Sequence, residues 1–267
     1  MSSPNLYQNG AGGTVGHSLA IRSPVWALNA SYIWYVGPGG TDAASPAGRR
    51  REKPLATLAQ AHTNCAAGDI IVCLEGHLES LSAAQVFSKA RVKVVSEGSG
   101  SSRARFTCTG AVAMFDVTAA GVRFLNLYFP ASTAVPTARI RSAAARTYIE
   151  DCYFECGASD TSRAVSFVTG AGTATVSGTS FVSVAATPAI GIEIINAISD
   201  LDLIDVTFDG GASGWTDFAF KATAAVTGIY ANVANQLNNS DAYFVTGSSG
   251  TWVPGDASGS ALLVQDA

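Results

Sequence analysis

Two series of short apolar strands that keep a common period of about 26 residues predict an all-β solenoid, a right-handed parallel β-helix of about seven coils with a short N-terminal capping helix. The first series aligns without gaps as VRFLNLYF (122–129), TYIEDCYF (147–154), ATVSGTSF (174–181) and LDLIDVTF (201–208), with terminal phenylalanines 25, 27 and 27 residues apart. A degenerate copy, GIYANVAN (228–235), continues it. The second series is centred on Phe115, Ile140, Phe167, Ile194 and Phe220, at intervals of 25, 27, 27 and 26.

Within each copy the apolar residues alternate as a strand requires, slip phase by one residue at a polar or glycine position, and then resume. The slip column reads Asn126, Asp151, Gly178, Asp205 and Asn232, residue types that tolerate a left-handed backbone. The column is therefore expected to be a bend repeated on each coil. One strand column, Phe124, Ile149, Val176, Leu203 and Tyr230, should stack inward, and Phe129, Phe154, Phe181 and Phe208 should form another inward stack.

Composition agrees with this class. The chain is 48% hydrophobic and only 13% charged, with 27 glycines, as expected of many small-residue turns around a sizeable core. Residues 1–31 read as an N-terminal arm rich in glycine, 32–246 as the β-helix and 247–267 as a C-terminal segment. At ~4.8 Å per coil the body would be a rod of roughly 35 Å. The opening of the body, Tyr35 to Ser80, holds Gly40-Thr41-Asp42, then Pro54 and Thr57, an amphipathic helix over about 55–66 with Leu55, Leu58 and Ala59 inward, then Gly68-Asp69, the apolar run 70–74 and Gly76. Such a helix can plug the open first coil against edge pairing.

This opening, together with the repeats over roughly 32–246, resembles the pectin-lyase-like superfamily of parallel β-helices, and most of all phage virion β-helix proteins. The resemblance implies the fold. For the enzymes of that superfamily it implies polysaccharide lysis, with calcium-binding carboxylates and an Arg or Lys base, or hydrolysis by clustered aspartates.

The residues that such chemistry needs are not gathered. Asp200, Asp202, Asp205 and Asp209 lie two coils from Glu150, Asp151 and Glu155, with Thr175, Ser177, Gly178 and Ser180 between. Arg139-Ile140-Arg141 superficially matches the Arg-Ile-Lys of family hydrolases but lacks its paired aspartates. His17, His62 and His77 sit in the arm, the helix and an early loop, and no nucleophile motif adjoins them. No catalytic residue, cofactor or metal site is therefore assigned, and the bend column is read as turn geometry. The cysteines, Cys65, Cys73, Cys108, Cys152 and Cys156, are five and lack zinc-site spacing, so they are read as buried free thiols.

With 16 Lys and Arg against 20 Asp and Glu and no basic stripe beyond Arg49-Arg50-Arg51, nucleic acid is not an expected partner. That run is read as a solvated loop. Neither is a membrane expected, since no apolar run reaches about 18 residues. The start lacks a secretory signal, so synthesis in a host cytoplasm is expected. The outward positions carry Leu125, Tyr128, Tyr148, Tyr153, Ile204 and Ile229 among Arg123, Arg139, Arg141 and Glu150, more large apolar groups than scattered surface residues explain. Together with the missing export signal and catalytic set, the resemblance to phage β-helix proteins implies a non-enzymatic virion protein, a bacteriophage head-decorating or cement protein, with this face turned toward another chain. It is expected to form a homotrimer through Leu125, Tyr128, Tyr148 and Tyr153 and to attach to the capsid through Val25, Trp26 and Leu28 of the arm. The alternatives are a tail-spike or fibre module that stacks surface carbohydrate on its tyrosines, and a polysaccharide lyase or hydrolase.

Overall fold

In a computed structural model the described residues are 32–131, 136–157, 163–184, 190–209, 219–231, 233–236, 243–245 and 252–254. The first turn holds strand β1 (Ile33–Val36) and helix α1 (Leu58–Asn64). Three-strand turns follow: β2 (Ile70–Cys73), β3 (Leu78–Leu81) and β4 (Gln85–Phe87), then β5 (Lys93–Ser96), β6 (Arg105–Cys108) and β7 (Ala113–Val117). Five more regular turns come next. They are β8 (Arg123–Leu125), β9 (Tyr128–Phe129) and β10 (Ala138–Ser142); β11 (Thr147–Glu150), β12 (Tyr153–Cys156) and β13 (Arg163–Phe167); and β14 (Thr173–Ser177), β15 (Ser180–Ser183) and β16 (Ile190–Ile194). The last two are β17 (Asp200–Ile204), β18 (Thr207–Asp209) and β19 (Phe220–Ala222), and β20 (Gly228–Ala231), β21 (Ala234–Gln236) and β22 (Tyr243–Val245).

Every strand pair is parallel, and strands three apart in sequence are neighbours in space, which makes the body a right-handed parallel β-helix. The first sheet runs β1-β2-β5-β8-β11-β14-β17-β20 and ends on β23 (Trp252–Pro254), which lies in the stretch expected as a separate C-terminal segment and pairs with β20. The second sheet runs from β3 through β6, β9, β12, β15 and β18 to β21, and the third from β4 through β7, β10, β13, β16 and β19 to β22.

Both predicted inward stacks form among the described side chains, and that of Tyr230 lies outside them. Ile149 pairs with Phe124 and Val176, and Val176 with Leu203, all fully buried. Phe129, Phe154, Phe181 and Phe208 stack face to face with centroids 4.7, 5.0 and 5.2 Å apart. The slip column has left-handed backbone at Asn126, Asp151, Gly178 and Asp205, with φ of 60, 51, 56 and 53°; Asn232 lies outside the described residues. A Cβ at Gly178 would stand 2.2 Å from Asp151 Oδ1, so the one glycine of the column makes room for the aspartate of the preceding coil. Asn126 Nδ2 donates to the carbonyls of Ser96 and Gly98, closing the wider turn below it.

The second series departs from its predicted register. Ile140 pairs with Phe115 on one side but with Val165, not Phe167, on the other, and Ile192, not Ile194, faces Phe220. A shift by two residues keeps the same face inward, and β13 and β16 are apolar at both choices, so hydrophobicity alone does not distinguish them.

The N-terminal plug is shorter than predicted. Leu55 precedes the helix and bridges to Val36, whereas Leu58, Ala61 and His62 form the buried face and Ala59 is exposed. Thr57 caps α1 by accepting from Gln60 N. Asp42 accepts from Ala56 N and Thr57 N, and Glu79 accepts from Leu58 N, so carboxylates hold the positive end of the helix. At the other end Lys89 Nζ donates to the carbonyls of His62, Thr63 and Cys65. Asp69, fully buried, accepts from Tyr32 N, Trp34 Nε1 and Ala66 N and so ties the first turn to the second.

Candidate functional site

The outward side of the second sheet carries the most continuous strip of contact-making side chains. Its register places Leu78, Arg105, Tyr128 and Tyr153 in one column across four successive coils, followed by Ser180 and Thr207. Leu78, the first residue of β3, is 68% exposed. The guanidinium of Arg105 lies 5.3 Å from the Tyr128 ring centroid while its Nε donates to the Ser101 carbonyl at 3.1 Å, so the cation is fixed in place. Tyr128 and Tyr153 meet edge to face at 5.4 Å.

Beside the column, Glu155 binds the Tyr128 hydroxyl through one oxygen and Ala131 N, at 3.1 Å, through the other. Burial, and then this hydrogen bond, push the Tyr128 phenol up to about 12, so it stays a neutral donor across the physiological range. Burial also raises Tyr153, assisted by the Glu155 and Asp209 carboxylates. The strip is thus apolar and aromatic with an ordered hydrogen-bonded edge.

The four residues predicted to share one contact divide between two sheets. Tyr128 and Tyr153 lie on the second sheet, but Tyr148 and Leu125 precede the bend and belong to the first. Arg123 stacks over Tyr148 at 4.6 Å and pairs with Glu150 at 3.3 Å. Burial raises the Glu150 carboxyl and Arg123 opposes the shift. Leu125 is only 4% exposed: it packs in an outer apolar cluster with Ile70, Val72 and Val95 and is not available as a contact. Arg139, predicted outward, is fully buried, as are Met114 and Ala164 at the matching positions of the strands on either side. Arg141 does face out and pairs with Asp116 at 2.8 Å. Val25, Trp26 and Leu28 lie outside the described residues, as does the side chain of Ile229.

The carboxylate groups weighed for chemistry stay apart. Glu150 faces Ser177, which faces Ile204, so two coil steps separate the Glu150 and Asp202 neighbourhoods. Glu193 is engaged by Arg163 and by Lys221 at 3.5 Å. His77 Nε2 meets Glu79 at 3.0 Å, and Glu79 also holds the helix. Among the described residues no group of three or more His, Cys, Asp or Glu could hold a metal ion, and no helix is long and apolar enough to cross a membrane. All five cysteines are buried free thiols, and burial raises Cys65, Cys73 and Cys152.

Leu78 and Arg105 were missed in the sequence because their coils precede the alignable repeats. The signal was the bend: Leu78 follows the left-handed Gly76 by two residues, as Tyr128 follows Asn126 and Tyr153 follows Asp151.

No family model and no curated protein matches this chain. Among solved structures it is similar to an alginate lyase of the PL6 family, at 11% identity and a TM-score of 0.38, over 84% of this chain. The chain spans 40% of that lyase.

Proposed function

We propose that this chain is a non-enzymatic β-helix building block of a larger particle, of the kind of a bacteriophage head-decorating protein, and that it contacts other chains through the outer strip of the second sheet. The observation that carries the reading is the column Leu78, Arg105, Tyr128 and Tyr153, a track on the outer face of the strands in which Leu78 is exposed and the other three are half-buried. Tyrosine and arginine are the residues enriched at protein interfaces, and a side-by-side homotrimer would let one such strip on each copy close a ring. The arm, with Val25, Trp26 and Leu28, is then the part that reaches the particle shell.

A carbohydrate-binding module is the second reading, since tyrosines also stack on sugar rings. Arg105 over Tyr128 and Arg123 over Tyr148 already occupy ring faces that a sugar would need, which favours a protein partner.

Mass spectrometry of particles purified from the source tests the proposal: they should contain this chain, and chains shortened by residues 1–28 should fold but stay off the shell. Turnover of an acidic polysaccharide that Glu155→Gln or Asp202→Asn abolishes would replace this reading with an enzymatic one.

A further inference from the structure

The loop that closes the N-terminal end of the rod forms a cavity of about 670 Å³ lined by Tyr32, Pro46, Ala47, Arg49, Arg50 and Lys53, among others. The sequence alone reads the arginine run as a solvated loop, but its members have different environments. Arg51 leaves the cavity to pair with Glu97. Arg49 is held by two rings, 3.5 Å from the Tyr32 centroid and 4.8 Å from that of Trp34. Arg50 and Lys53 bridge to each other through the backbone in a tight turn, which brings their side chains to one wall.

Three cations therefore line one cavity, and among the described residues none of them has a carboxylate partner. Of the nearby acids, Asp42 caps the helix, Asp69 binds Tyr32 N and Trp34 Nε1, and Glu52, exposed in the same loop, is not among the residues that line the cavity. The preceding arm cannot supply the missing charge, since residues 1–31 contain no Asp or Glu. Like charges brought this close repel one another unless an anion joins them.

The charge of the whole rod points the same way. Because the coils stack in sequence order, sequence asymmetry becomes axial asymmetry. Among the described residues, 32–130 hold 10 Lys and Arg against seven Asp and Glu, whereas beyond Arg163 there is one, Lys221, against five Asp and Glu. An anion is steered to the N-terminal end and repelled from the other.

We infer that this cavity binds a small organic phosphate monoester. The phosphoryl group carries about −1.5 to −2 charges at neutral pH, which three cations match better than they match a single carboxylate. Guanidinium forks fit its oxygens in pairs. The volume lies within the range of about 300–1,000 Å³ of ligand sites and exceeds what a bare phosphate fills, so the organic body rests against Tyr32, Pro46 and Ala47. This site is independent of the second-sheet strip and of the proposed assembly role.

Calorimetric titration of the full chain with inorganic phosphate, glucose 6-phosphate and glucose tests the inference. Saturable binding is expected for both phosphates, tighter for the ester, weakened by rising salt and undetectable for glucose. Arg50→Ala and Lys53→Ala should each weaken it about tenfold, while Arg146→Ala, an exposed cation on a later coil, should leave it unchanged. Circular dichroism of each variant distinguishes lost binding from lost folding. Failure of both phosphates to saturate the wild-type chain, or affinities that Arg50→Ala and Lys53→Ala leave alone in folded protein, would overturn the site. So would equal binding of a thymidine decanucleotide, whose phosphodiesters carry one charge each, because it would mark a general polyanion surface.

Discussion

The regular turns from β8 to β19 and the N-terminal plug are held by different physics. In the turns one contact is repeated: phenylalanine on phenylalanine, aliphatic on aliphatic, and a left-handed bend at the same step of each coil. In the plug nothing repeats. One helix of seven residues is fixed by Asp42, Thr57, Glu79 and Lys89, each used once, and Asp69 joins three donors from two segments. Repetition distributes stability over many like neighbours, each coil touching only the next. A plug must instead satisfy the backbone groups that a last strand leaves open, and charged side chains do this most strongly.

The largest break in this comparison comes from the repeated core. Leu203→Asp places a carboxylate with no partner between Val176 and the next coil, and should cost roughly 3–5 kcal/mol, read as the urea midpoint. A loss below about 1 kcal/mol would mean that the column does not face inward. Asp69→Ala should come next, at roughly 2–3 kcal/mol, because three donors including the Trp34 indole lose their acceptor. Hydrogen exchange should show that this loss opens β1 and α1 first while β11 to β16 stay protected; uniform opening would deny the plug its separate character.

A third effect depends on pH. Burial, and then Lys89, depress His62 to about 4 from its usual 6.5. The folded state thus favours the neutral ring. The unfolded chain takes up a proton first as pH falls, so stability present above pH 6.5 is lost between about 6.5 and 4, by at most about 1.4 kcal/mol per pH unit. His62→Leu should flatten that stretch of the stability profile. An unchanged slope would assign the acid sensitivity to other groups.

The same contrast decides what could be read from sequence. Period, bend and inward columns were legible because each is written four or five times, so Phe181 or Asp205 is recognised by its counterparts. Where a strand is apolar on successive positions, as in β13 and β16, the face is legible but the register is not. The outer surface was legible in part. Tyr128 and Tyr153 were found as outward residues, but alternation does not tell which side of a bend a residue occupies, and so Tyr148 and Leu125 were grouped with them. Leu125 was expected to be exposed because a strand's outer face usually meets solvent; here it lies between Val95 of the preceding coil and Glu150 of the next and extends the apolar row begun by Val72. The basic cavity was not legible at all, since only the fold separates Arg51, which is paired, from Arg50 and Lys53.

The proposed assembly makes the outer strip of the second sheet a surface for another copy. Sedimentation equilibrium of the full chain, alongside Leu78→Asp and Tyr153→Asp, tests it most directly, because both side chains lie outside the core and circular dichroism checks that each variant folds. A mass three times the 27.3 kDa chain is expected for the wild type and a shift toward one chain mass for each variant. A wild type that stays monomeric at every concentration, or a trimer that both substitutions leave untouched, would contradict it.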